Sequence, residues 1–168
     1  MRSKASWVAR YGVMVALALI LSYVELLFPI NFVVPGVKLG LANLVAVAGL
    51  YLVGEKGTAW VVFLRIILAY FLFGRAVGLL YSLMGGGLSL VLMILVKRRG
   101  WFGPMGVSIV GGIGHNIGQL LAAAILVGSG YVFAYFPALL AAGTAAGMII
   151  GILGGILVDR TEKYIRNL

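Results

Sequence analysis

The chain is predicted to be an all-α, polytopic membrane protein with six transmembrane helices, and three features of its 168 residues carry that expectation. It is 63% hydrophobic and only 10% charged, which leaves no room for a soluble catalytic domain beside the membrane part. Its apolar residues gather into six runs joined by short polar connections. With the N-terminus placed in the cytoplasm, ten of its thirteen basic residues fall on the cytoplasmic side: Arg2, Lys4, Arg10, Lys56, Lys97, Arg98, Arg99, Arg160, Lys163 and Arg166. Lys38 and Arg75 then face outward and Arg65 lies within a span. Such a bias in short loops is the positive-inside pattern, so both termini are expected in the cytoplasm of a prokaryotic cell, with the chain multi-pass in its cytoplasmic membrane.

The spans are expected over about residues 7–28, 39–53, 59–74, 76–96, 104–127 and 137–158 of one membrane domain, 1–168. Most approach the roughly 20 residues needed to cross a hydrocarbon core about 30 Å thick. The first is too long for a secretory signal and is followed by Glu25, Pro29 and Asn31 rather than a small-residue cleavage pattern, so it is expected to stay in the protein. The second and third are short, suited to tilting or to pairing with re-entrant backbone. Between the first two spans, the stretch from Pro29 to Asn43 holds two prolines and Gly36 and is predicted to be non-helical. Irregular backbone at that level must be shielded by protein or line a cavity, so about 29–43 reads as an outer lid or gate. Within the fourth span, Gly85, Gly86 and Gly87 are placed to loosen or kink the helix. Pro104 and Pro137 open the fifth and sixth helices, where the missing N–H costs no hydrogen bond.

Glycine, 25 residues in all, is concentrated inside these spans. In lipid, a small residue at every fourth position lets helix backbones approach closely. The last span has Gly143, Gly147, Gly151 and Gly155 in such a row, the fifth has Gly114, Gly118 and Ala122, and the fourth has Gly78, Ser82 and Gly86. These seams serve either fixed intramolecular packing or helices that move against one another. A further row, Ala5 and Ala9 with Gly12 and Ala16, lines the cytoplasmic half of the first helix and could receive another protein's helix.

Polar side chains within the spans are costly in hydrocarbon and normally face a cavity or a partner. Glu25 lies toward the outer end of the first helix, Arg65 near the middle of the third and Arg75 at its outer end. His115, Asn116 and Gln119 cluster near the middle of the fifth, and the four-residue step puts His115 and Gln119 on one face. The cluster reads either as the polar edge of a ligand site or as an interhelical clamp satisfied by Arg65 or by carbonyls. Glu25 with Arg65 or Arg75 reads equally as a simple ion pair.

Several classes are excluded. The net charge of +9 is divided among short loops and termini, so it makes no continuous groove for nucleic acid. The chain has no cysteine, hence no disulfide, thiolate metal site or cysteine nucleophile. One histidine and four carboxylates in all make a metal site unexpected, and no cofactor is expected. No phosphate-binding Gly-x-x-x-x-Gly-Lys-Ser/Thr loop occurs.

Three stretches carry a family resemblance: Pro35-Gly36-Val37-Lys38-Leu39-Gly40-Leu41-Ala42-Asn43, Tyr81-Ser82-Leu83-Met84-Gly85-Gly86 and Gly114-His115-Asn116-Ile117-Gly118-Gln119. Over essentially its whole length the chain resembles the small integral membrane proteins known as Gx transporters or heptaprenyl diphosphate synthase component I. These in turn resemble the substrate-binding S components of energy-coupling factor (ECF) vitamin importers. The resemblance implies a binder whose pocket opens outward, lidded by the loop after the first helix. It implies as partners a transmembrane coupling subunit, two cytoplasmic ATPases, membrane lipid and a small-molecule ligand. In S components the first helix offers an Ala-x-x-x-Ala face to the coupling subunit, a role that Ala5 and Ala9, or Gly12 and Ala16, take here by resemblance. Under that reading Lys38, Arg75 and Arg65 would attract an anionic or carbonyl-bearing ligand, Asn43, His115, Asn116 and Gln119 would fix its polar edge, and Tyr81 would stack on a ring. The family's association with isoprenoid and quinone genes suggests a quinone or prenyl precursor, with a flavin or other vitamin equally admissible.

The rival implied by the older family name is a subunit of a long-chain prenyl diphosphate synthase. That chemistry needs several carboxylates to share magnesium ions. The chain has one aspartate, Asp159, and three scattered glutamates, Glu25, Glu55 and Glu162, so catalysis by this chain is not expected, whereas a non-catalytic accessory role that holds an isoprenoid is. A membrane scaffold with a purely structural polar cluster is the third reading.

Overall fold

The computed structural model describes residues 4–27, 40–73 and 76–166, which form α1 (Lys4–Leu27), α2 (Leu41–Leu52), α3 (Gly54–Phe73), α4 (Ala76–Arg99), α5 (Pro104–Val127) and α6 (Phe136–Arg166), with a 3-10 turn at Gly130–Tyr135 leading into α6. Five of these, all but α2, are long and apolar enough to cross a membrane. The expected all-α character is therefore observed, and five helices of spanning length and composition fit a multi-pass chain.

Helix boundaries follow local chemistry. Pro104 occupies the first turn of α5 after Gly103, and α5 ends where Gly128 takes a left-handed conformation and its N–H bonds the Ala124 carbonyl. α3 starts at Gly54 rather than near residue 59, so the expectation of a short third span is corrected. Glu55 in its first turn complements the helix dipole, and the Thr58 hydroxyl donates to the Gly54 carbonyl at 2.8 Å. α4 and α6 run past their apolar stretches to Arg99 and Arg166, with basic residues in their last turns. The glycine triplet does not interrupt α4, contrary to expectation: Gly85 lies against α5 and Gly86 against Ile66 of α3, so packing holds the helix together there. Leu41, Ala42 and Asn43 are helical, which corrects the expected lid at its C-terminal end, and residues 29–39, Lys38 included, lie outside the described residues.

The two ends of the bundle differ in chemistry. Arg98 of α4 pairs with Glu55 of α3, and Lys97 donates to the Leu50 carbonyl at 2.6 Å while lying over the Tyr51 ring. These bonds bring the α2–α3 junction and the end of α4 to one end. Tyr11 against Gly57 brings the start of α1 there, and Pro104 beside Gly155 adds the start of α5 and the last part of α6. Arg10, Lys56, Lys97, Arg98, Arg99, Arg160, Lys163 and Arg166 thus share one end, and the exposed Trp7, Trp60 and Trp101 ring it. The opposite end presents exposed Tyr131, Phe133, Tyr135 and Phe136.

α2 is the hub. At twelve residues it rises only about 18 Å, yet it touches all five other helices. Val45 through Leu50 are all buried, as expected of a helix apolar on every side. Val47 and Leu50 join Val62, Ile66, Leu90, Met93 and Val107 in the main core, while Val45 joins Val15, Ala18 and Val61 in a second cluster beneath α1.

The glycine rows build seams around α5. On one side, Gly143, Gly147 and Gly151 of α6 lie against the backbone of Gly112, Ile109 and Met105; a Cβ on Gly147 would come within 2.6 Å of the Ile109 Cα. On the other, Gly114 and Gly118 meet α4, as does Gly111. The α4 side of this seam runs through Met84, Gly85 and Ser89 rather than through the expected Ser82 and Gly86, because Gly86 turns toward α3.

Candidate functional site

A crevice of about 270 Å³, counted with its open mouth, lies where α2, α5 and α6 meet. From the α2 side come Gly40 and Asn43, from α5 Ser108, Gly112, His115 and Asn116, and from α6 Gly143, Ala146, Gly147 and Ile150. Most of that space is the open mouth, and the enclosed part has room for about one water. Ser108, Gly112 and Asn116 recur every fourth residue and so present one face of α5 toward α6. Glycines on both helices make the floor nearly flat backbone.

Because α2 stops partway up the bundle, its N-terminus opens at mid-depth. Counted at 1.5 Å per residue from the basic end, Asn43, Arg65, Ser89, His115, Asn116 and Gln119 stand at about 13–23 Å, near the middle of the bundle. Gly40 adopts a left-handed conformation (φ 71°) and its carbonyl accepts the Asn43 N–H at 2.7 Å. Its own N–H donates to the Glu25 carboxylate of α1. That carboxylate sits at the positive end of α2 and also acts by its charge on Arg65.

The expected site residues divide. Asn43, His115 and Asn116 come together at the crevice. The Asn116 amide also donates to the Leu139 carbonyl of α6 at 2.8 Å, so it clamps α5 to α6. His115 is 7% exposed and reaches from the crevice toward Gly85 of α4. Gln119 does share that α4-facing side with His115, but it does not line the crevice: it is 4% exposed, its Cγ packs at Gly85, and its carboxamide has no hydrogen-bond partner among the described residues. The Ser89 hydroxyl is in the same position on α4. Arg65 is buried elsewhere, between α1, α3 and α4, donating to the Ser22 hydroxyl at 3.2 Å, so it does not clamp the α5 cluster. Ser22 in turn donates to the Ala18 carbonyl. Tyr81 is half-buried on α4 and is not part of the crevice wall. Lys38 and Arg75 lie outside the described residues.

Sequence reasoning missed Ser108 and Gly112. The four-residue repeat with Asn116 was the available signal, overshadowed by the longer glycine row on the other side of α5. On α1, Ala9, Gly12 and Ala16 are exposed, nothing lies within 4 Å of where a Gly12 Cβ would stand, and Ala5 falls in the first turns of the helix. Among the described elements, α1 packs only on α2 and α3.

Against known families, residues 14–157 match the model for heptaprenyl diphosphate synthase component I. The chain belongs to that family. Family membership covers α2 through α5 entirely and most of α1 and α6, so it includes the crevice, the Arg65 site and both glycine seams. No curated protein and no solved structure matches the chain.

Proposed function

We propose that this chain is a non-catalytic membrane subunit of heptaprenyl diphosphate synthesis, holding an apolar, isoprenoid-related molecule in the bilayer for a separate catalytic chain. The family match over 14–157 is the observation that carries this reading. The chain's own carboxylates are too few and too scattered along the sequence to gather magnesium around a diphosphate. The basic end, with its surrounding tryptophans, suits the cytoplasmic face, which would put both termini in the cytoplasm and leave the Tyr131–Phe136 end outside. α2 completes six membrane-embedded helices without spanning fully. Asn43, His115 and Asn116 are the proposed ligand contacts, and Lys38 and Arg75 would lie at the outer face.

A second reading, the substrate-binding subunit of an ECF-type importer, is favoured by one observation: a polar crevice at mid-depth beside the N-terminus of a half-length helix is the usual location of transporter sites. In that case Ala5, Ala9, Gly12 and Ala16 would take the coupling subunit. Native extraction in mild detergent followed by mass spectrometry tests both. Co-purification of a prenyl diphosphate synthase chain is the expected result. A coupling subunit with an ATPase pair, and no synthase, would overturn the first reading in favour of the second.

A further inference from the structure

We infer that the α4–α5 turn, at the basic end, holds the diphosphate of a prenyl diphosphate whose tail lies in the bilayer, with Arg99 as the main contact; this rests on the proposed reading of the chain as an isoprenoid-holding subunit. The desolvation cost of an ionised group keeps such a diphosphate away from the bilayer centre. It stands at the level of the headgroups, where a catalytic chain outside the membrane can reach it. The three cations that close α4 differ in what they already do. Lys97 turns inward, donating to the Leu50 carbonyl at 2.6 Å and lying over the Tyr51 ring. Arg98 spends Nε and Nη2 on both oxygens of Glu55. Arg99 is exposed and pairs with no carboxylate among the described residues; its guanidinium lies 5.3 Å from the centre of the Trp101 ring. A guanidinium held over an aromatic face keeps its N–H edge open, and that planar fork matches two phosphate oxygens at once.

The turn that carries this pair is short and fixed. Gly100 takes a left-handed conformation (φ 68°) and its N–H bonds the Lys97 carbonyl at 3.1 Å, which ends α4. The Phe102 side chain packs over Gly106 in the first turn of α5, where a Cβ would come within 2.6 Å of it. Trp101 is 68% exposed, and an exposed tryptophan of a membrane protein sits among the headgroups, so Arg99 stands at the depth of a membrane-tethered phosphate. The surrounding field has the matching sign. The eight cations gathered at this end meet three carboxylates there, Glu55, Asp159 and Glu162, of which Glu55 is already paired.

The test measures radiolabelled farnesyl diphosphate on the purified full chain in phosphatidylcholine nanodiscs, with empty nanodiscs as background and EDTA present, because the hold runs through cations rather than through a metal. Saturable binding of one farnesyl diphosphate per chain is expected, displaced by inorganic diphosphate and not by an equal concentration of farnesol. Arg99→Gln should weaken it at least fivefold, and Arg99→Lys should recover only part of the loss. Arg10→Gln removes the same charge from the same end, but on α1, which among the described elements packs only on α2 and α3; it should leave binding within twofold. Replacing a third of the lipid by phosphatidylglycerol should weaken binding no more than threefold. The absence of saturable binding, or equal losses from Arg99→Gln and Arg10→Gln, would overturn the inference, the latter by showing a diffuse field in place of a site. Abolition by phosphatidylglycerol would also overturn it, assigning the turn to bulk anionic lipid. Co-purification of a synthase chain does not depend on these outcomes, so the two readings fail separately.

Discussion

Asn116 and Gln119 are near neighbours on α5, both almost fully buried, and carry the same functional group, yet their surroundings give them opposite energetic roles. Asn116 spends an N–H on the Leu139 carbonyl, close to the start of α6, where the helix's own hydrogen bonding is beginning. Replacement by leucine removes that bond and forces a branched side chain against Gly143, because the amide nitrogen already lies 2.9 Å from where a Gly143 Cβ would stand. Interhelical bonds of this kind in membranes are worth about 0.6–1.7 kcal/mol. Asn116→Leu should therefore lower unfolding stability in detergent by about 1–2 kcal/mol. Gln119 has a buried carboxamide with neither atom bonded among the described residues. Replacing an unsatisfied polar group by an apolar one of the same shape is close to neutral or stabilising. Gln119→Met should leave the unfolding midpoint unchanged or raise it, as followed by circular dichroism during thermal denaturation. If Gln119→Met instead costs as much stability as Asn116→Leu, the Gln119 amide is satisfied by a bound molecule.

At the scale of the helices, glycine does two different things in one chain. Gly147 is required by contact: a Cβ would press within 2.6 Å of the Ile109 Cα and 2.8 Å of the Ser108 carbonyl oxygen, both backbone atoms that cannot rotate away. Gly147→Ala should cost about 1–3 kcal/mol, the range for overpacking, and should open the crevice whose floor Gly147 forms. Gly12 faces open space on α1, so Gly12→Ala should be neutral or stabilising by up to about 1 kcal/mol through helix propensity. Unfolding of the two variants side by side separates contact from propensity. The same contrast explains what could be read in advance. Helix positions were legible because apolar runs, Pro104 and Pro137 are local signals, and the α6 glycine row was legible because its spacing is regular. The central place of α2 was not, since Val45–Leu50 looks like any apolar stretch until five other helices surround it. Nor was the choice of Gly85 and Ser89 over Ser82 and Gly86 as the α4 seam, because two rows so close together differ only in which neighbour they meet. The Arg65–Ser22 bond joins residues 43 apart in sequence, and no periodicity announces it.

For the whole molecule, charge and aromatic placement together define a direction across the membrane. Arg10, Lys56 and the basic residues that close α4 and α6 stand at the end ringed by Trp7, Trp60 and Trp101, while Tyr131, 91% exposed, and Phe133 mark the other. Cytoplasmic excess of Lys and Arg, with aromatic girdles at both interfaces, is the pattern by which the proposed reading turns the basic end inward. The absence of cysteine from the sequence makes this directly measurable, since any introduced thiol is unique. Gly130 is exposed in the connection between α5 and α6 and has no heavy atom near its missing Cβ, and Lys163 is exposed close to the end of α6. In intact cells a membrane-impermeant maleimide should label Gly130→Cys and should reach Lys163→Cys only after permeabilisation. The reverse pattern would invert the molecule, turning the aromatic end toward the cytoplasm and removing the basic end as the surface for a cytoplasmic catalytic chain. Labelling of both thiols from the same side would mean that α6 does not cross, and with it would go the mid-depth position of the crevice that α6 helps to wall.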